Sequence, residues 1–72
     1  MPNFEPNDRV RVLDFNSTEE SGIVGRKGIV TDFAEEGEGG DPDLNLYHVE
    51  LEGNDDKAGE WLLAERELEF VY

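Results

Sequence analysis

GIVGRKGIV, residues 22–30, sets three glycines at intervals of three around the pair Arg26 and Lys27. A phosphate-gripping loop needs a Gly-x-Gly-x-x-Gly pattern, or a glycine run ending in Gly-Lys-Ser/Thr. It also needs a helix to follow, whose N-terminus receives the anion. Neither pattern is present, and the residues that follow, TDF, extend a β-branched run. The stretch therefore reads as a loop that opens into a strand. Gly22 and Gly25 are expected at positive φ, and Gly28 where two backbones pass closely. Arg26 and Lys27 form a small exposed basic spot. With Arg9 and Arg11 it suits carboxylates, on a partner or within the chain.

Outward from this point the chain reads as strands. DRVRVLDF (residues 8–15) alternates Arg9 and Arg11 with Val10 and Val12, a period of two. NSTEESGIVG is polar and glycine-punctuated and reads as a loop. KGIVTDF is the second strand. AEEGEGGDPD (residues 34–43) reads as a long acidic loop that buries nothing. LNLYHVELE (residues 44–52) places Tyr47, Val49 and Leu51 on one face, with Leu46, His48, Glu50 and Glu52 on the other. GNDDKAG is a turn. EWLLAERELEFVY closes the chain with Trp61 and Leu63 on one face. AEREL reads as a single helical turn before a last strand over residues 69–71. The competing assignment is one amphipathic helix over residues 60–70, whose stripe would mix Trp61 and Leu68 with Ala64 or Glu65. Five short strands with a helical turn before the last predict an all-β fold, a small five-stranded antiparallel SH3-like barrel in a single domain spanning residues 1–72.

The 72 residues carry 19 acids, six bases and no cysteine, with a net charge of −13. Residues 1–27 hold five acids against four bases; residues 28–72 hold fourteen against two. High charge is also a signature of disorder, but here the apolar residues cluster and alternate, which favours a folded domain. The negative field opposes direct binding of nucleic acid or anionic membranes and favours basic protein partners, cations or simple solubility. A halophilic origin would account for the acidity with no partner at all. The four bases near residues 9–27 have no aromatic stacking platform among them. No apolar run is long enough to span a membrane, and a secretory leader pattern is not seen. A cytoplasmic protein, monomeric when free, is expected.

Chemistry is sparsely represented. His48 lies on a polar strand face without a nucleophile beside it, and Ser17 and Ser21 sit in no nucleophile elbow. Glu35 with Glu36, Asp41 with Asp43, and Asp55 with Asp56 are paired acids in similar exposed settings, whereas acid–base catalysis needs their environments to differ. Asp41-x-Asp43-x-Asn45, with Glu52 at the twelfth position, imitates a calcium loop, but Leu46 stands where glycine is required. No enzymatic activity and no cofactor are expected. The Asn16-Ser17-Thr18 sequon is a frequent chance triplet.

NDRVRVL, GRKGIVTDF, LYHVELE and WLLAERELEFV together resemble the SH3-like barrels of small accessory proteins. The photosystem I accessory subunit and the related small subunit of the cytochrome b6f complex are similar in pattern. They share the basic–apolar opening strand, the Gly28 and Val30 pair, the apolar Phe33, and the close in residues 64–71. KOW-type modules share this framework. Leu46-Tyr47-His48-Val49 and the final Leu68-Glu69 also resemble the C-terminal barrel of the nitrile hydratase β subunit. This chain departs from the photosystem subunits in its 34–43 insertion and its acidity. The resemblance implies a small accessory or regulatory subunit docking onto a larger protein complex, which the composition makes an acidic one. Trp61, with Tyr47, Leu46 or Tyr72, would provide an apolar anchor; Glu35, Glu36, Asp41 and Asp43 would provide charge, and Arg26 and Lys27 the basic spot. Two alternatives remain open: an acidic mimic of nucleic acid that inhibits a DNA- or RNA-binding protein, and a nitrile-hydratase-β-like enzyme subunit.

Overall fold

A computed structural model describes residues 3–71. The architecture is all-β: one five-stranded antiparallel sheet with a few helical turns. Its strands are β1 (Arg9–Val12), β2 (Lys27–Glu35), β3 (Leu46–Leu51), β4 (Gly59–Ala64) and β5 (Leu68–Phe70), in the spatial order β4-β3-β2-β1-β5. A six-residue helix, α1 (Asn16–Ser21), lies between β1 and β2. The competing C-terminal helix is excluded, because residues 60–70 form β4, a 3-10 turn (Glu65–Glu67) and β5. The helical turn of AEREL is thus present, and the last strand begins one residue earlier than expected.

Alternation builds the core. Val10 and Val12 of β1, Val30 of β2, Tyr47, Val49 and Leu51 of β3, Leu63 of β4 and Leu68 of β5 are buried, joined by Phe4 and Ile23 from outside the sheet. Phe33 and Trp61 pack partly buried against them. Phe4 and Phe33 both meet the Tyr47 ring edge-on, at centroid separations of 5.4 and 5.5 Å. Such contacts are favoured beyond the area they bury.

The β2 strand departs from simple alternation. Its register against β3 shifts between Val30 and Asp32 and again between Phe33 and Glu35. An unbroken alternation would send Asp32 inward beside Val30. The first irregularity adds a residue, so Asp32 stays in solvent and Phe33 turns toward Tyr47.

Two loop assignments are corrected. NSTEES forms α1 because Thr18 organises it. The Thr18 hydroxyl accepts the Phe15 N–H at 2.9 Å and donates to the Leu13 carbonyl at 2.6 Å, and Gly22 ends the helix at φ 73°. Residues 34–43 are not all loop either. Ala34 and Glu35 extend β2, and the remainder makes two 3-10 turns, Glu38–Gly40 and Pro42–Leu44. This connection does bury groups: Gly37 is buried, and its N–H donates to Oδ1 of buried Asn45 at 2.7 Å.

Gly28 occupies the close approach expected of it. A Cβ there would stand 2.5 Å from the Glu50 carbonyl oxygen and 2.9 Å from a Leu51 methyl. The obstructing atom is backbone of the paired strand, so it cannot turn aside. Gly28→Ala is expected to lower unfolding stability by about 2 kcal/mol, read as a fall in the urea midpoint at unchanged slope.

Tyr47 gives a second test. Its hydroxyl donates to Oε1 of Glu65 at 2.7 Å, inside the core. Burial, and then this hydrogen bond to an anion, raises the phenol pKa above its usual value. The neutral form is therefore the one the fold favours. Its contribution is complete below about pH 10 and is lost as pH rises beyond that. Tyr47→Phe should cost about 1–2 kcal/mol at pH 7, and its deficit relative to the parent should shrink above pH 10, measured by urea titration at each pH.

Candidate interaction surface

The outer face of β2, β3 and β4 is set by the strands that bury Val30, Tyr47, Val49 and Leu63 on the other side. Cross-strand register arranges its residues in rows. Ile29, Glu50 and Glu60 lie opposite one another in one row, and Asp32, His48 and Leu62 in the next. Leu62 is 53 % exposed, the largest value among the exposed large apolar residues, and Ile29 is also exposed. His48 Nδ1 approaches Oε1 of Glu60 at 3.1 Å, a pairing that carries charge on both sides only when His48 is protonated. Ile29, Glu50, Thr31, Asn7 and Glu52 border an open depression of about 340 Å³ at one end of this face.

The backbone fixes how close Glu50 and Glu60 come. The Glu52 N–H donates to the Lys27 carbonyl, so the even-numbered residues of β3 turn their backbone groups toward β2. The odd-numbered ones then face β4, in line with the Glu65 N–H donating to the Asn45 carbonyl just beyond the strands. Glu50 and Glu60 consequently form a pair without mutual backbone bonds, the type in which side chains stand closest. Two carboxylates directly opposite each other destabilise a sheet. The arrangement places repulsion, flanked by exposed Leu62 and Ile29, in the middle of a solvent-facing surface.

Several expected contact residues are located elsewhere. Tyr47 has no exposed surface and cannot touch a partner while the domain is folded, because the alternation that exposes His48 sends Tyr47 inward. Trp61 is half-buried, and its indole N–H donates to the Lys57 carbonyl at 2.8 Å. It supports the face from beneath, while Leu62 is the residue that projects. Leu46 is half-buried, opposite Ala64, and Tyr72 lies outside the described residues. Glu35 ends β2 opposite Leu46, and Glu36 and Asp43 are exposed on the connection. Asp41 Oδ1 accepts the Asp43 N–H at 3.0 Å, and Asn45 is buried against Gly37, so that acidic segment is organised by its own backbone. Among the described residues no cluster of three or more potential metal ligands occurs.

The basic spot is divided. Arg26 reaches both Asp55 carboxylate oxygens at 2.9 Å and the Glu52 carbonyl at 2.9 Å. It thereby fastens the start of β2 to the β3–β4 turn. Arg11 pairs with Glu69 across β1 and β5 at 3.0 Å. Lys27 remains exposed, opposite Arg11. Leu62, Glu50 and Glu60 were not singled out by sequence reasoning as contact residues. The available signal was the alternation itself, which puts Glu60 and Leu62 on the face that Trp61 and Leu63 leave.

No protein family, no curated protein and no solved structure matches this chain.

The Arg26 hydrogen bonds and then its charge hold the Asp55 carboxyl below the usual carboxylate range. A depressed carboxylate pKa contributes stability above the unfolded value, near pH 4, and that contribution is lost as pH falls through the folded value. Asp55→Asn should therefore lower stability at pH 7. The difference from the parent should close below about pH 4, followed by thermal unfolding across the acid range.

Proposed function

We propose that this domain is a non-enzymatic interaction module that docks, as a small acidic accessory or regulatory subunit, onto a basic surface of a larger protein assembly. The observation that carries this reading is the directly opposed pair Glu50 and Glu60 on the exposed face, beside Leu62. Like charges placed so closely cost stability in the free domain, and a basic partner turns that cost into attraction. Leu62 and Ile29 supply the apolar contact that charge alone lacks.

We also infer that the sheet closes as an SH3-like barrel. The support is topological. β4 and β5 are the opposite edges of the strand order, yet only the three-residue turn Glu65–Glu67 joins them. In a flat five-stranded sheet those edges would stand roughly 19 Å apart, at about 4.8 Å per strand. A turn that short supports a sheet that curls until the Ala64 end of β4 meets the start of β5, while the Glu60 and Leu62 edge of β4 stays unpaired.

Glu50→Gln is the discriminating variant, since it removes the repulsion without disturbing the His48 and Glu60 pair. The isolated domain should become more stable by roughly 0.2–1 kcal/mol. At the same time its affinity for a partner captured by cross-linking from the native cell should fall, and the salt dependence of binding should weaken. Unchanged affinity together with a partner surface that is not basic would overturn the reading.

A further inference from the structure

We infer that the outward edge of β4 takes an extended basic segment of the partner protein as an added antiparallel strand, an inference that rests on the docking reading above. The two edges of the sheet differ. β5 has three residues; β4 has six, paired with β3 without interruption from Gly59 to Ala64. Because Gly59, Trp61 and Leu63 turn their backbone groups toward β3, those of Glu60, Leu62 and Ala64 point away from it. The Ala64 N–H is occupied, donating to Oε1 of Glu67 at 2.8 Å. Among the described residues no other strand and no side chain covers the N–H and C=O groups of Glu60 and Leu62. They offer four backbone hydrogen bonds to one incoming strand.

The usual protections of an edge are missing here. β4 contains no proline, no lysine and no bulge. Its one charge, Glu60, is negative and has a side chain 63 % exposed. The side chains of Glu60 and Leu62 project on the same outer face, so they dictate what lies opposite them. An antiparallel strand would set an apolar residue against Leu62 and, two residues later, a basic residue against Glu60, within reach of Glu50. The recognised pattern is apolar-x-basic in an extended chain. A second copy of this domain is the poorer occupant. Each chain carries −13, and self-pairing about Trp61 would bring two such fields together.

The test uses the full chain, isotope-labelled, with a fluorescent nine-residue peptide alternating valine and lysine. A second peptide carries prolines in place of two of the valines. At low salt the alternating peptide should bind, and the Glu60 and Leu62 amides should exchange at least about tenfold more slowly in its presence. The proline peptide should bind at least about fivefold more weakly, the equivalent of one lost hydrogen bond. Leu62→Pro should weaken binding similarly, since the N–H it removes faces away from the β3 ladder. Glu60→Lys provides a charge test that leaves the backbone intact, and it should also weaken binding. Peptide binding with shifts elsewhere and unprotected Glu60 and Leu62 amides would overturn the strand addition while leaving the docking reading standing. Absence of binding by any basic peptide at low salt would overturn both. Protection of these amides in a peptide-free dimer would assign the edge to a second copy and overturn the inference.

Discussion

The carboxylate of Glu65 ties together segments that the strand order sets far apart. Buried in the turn between β4 and β5, it accepts the Tyr47 hydroxyl at 2.7 Å and the Asn3 side-chain amide at 2.8 Å. Its own N–H is held by the Asn45 carbonyl. A carboxylate out of water is costly unless donors surround it. Here the donors come from β3 and from the segment before β1, while the 36–45 connection supplies the acceptor for the Glu65 N–H. Two residues on, Glu67 accepts the Ser17 hydroxyl of α1 and the Ala64 N–H, while its carbonyl accepts the Leu13 N–H. A three-residue turn thus holds both edges of the sheet, the helix and the N-terminal segment. Removing its acids would leave buried donors without acceptors, not merely alter a surface.

The nineteen acids therefore stand in three physically different settings. Glu65 and Glu67 are inside and are satisfied by neutral donors, so their charge is fixed to geometry. Asp55 and Glu69 are outside but matched to Arg26 and Arg11. Most of the remainder stand in solvent at a net charge of −13 and repel one another. A domain of this size has a small core, and the ten apolar side chains buried among the described residues must hold it against that repulsion. Pairing Glu50 with Glu60 adds to the load at a place where the fold gains nothing from it.

The strands and their inward faces were legible in the sequence because a period of two survives in RVRV, LYHVEL and EWLLA. What was not legible depends on single contacts. NSTEES looks like a loop by composition, and six residues are too few for a helical period to show. The Thr18 hydroxyl and the left-handed Gly22 make it a helix. Asp32 shares parity with Val30, and only a register shift keeps it out of the core. Arg26 reads as a free basic spot until the β3–β4 turn brings Asp55 beside it across 29 positions of sequence. A contact role for Tyr47 conflicts with the alternation that places it beside Val49 and Leu51 in the core. There the periodicity was the better guide. Glu65 and Glu67 carry the composition of a surface turn, and no local pattern marks a glutamate as buried when its side-chain donors lie 18 to 62 residues away.

The acidity and the unprotected edge explain one another. A six-residue edge strand with no proline, lysine or bulge invites pairing with any extended chain, including a second copy of itself. Lysine on the edge would prevent self-pairing, but it would also repel a basic segment. A strongly negative field separates the two cases. It raises the cost of bringing two identical chains together and lowers the cost of approach for a chain of opposite sign. Screening by salt weakens both effects together. On this view the acids that make the free domain less stable keep its edge open, and they also choose what may close it.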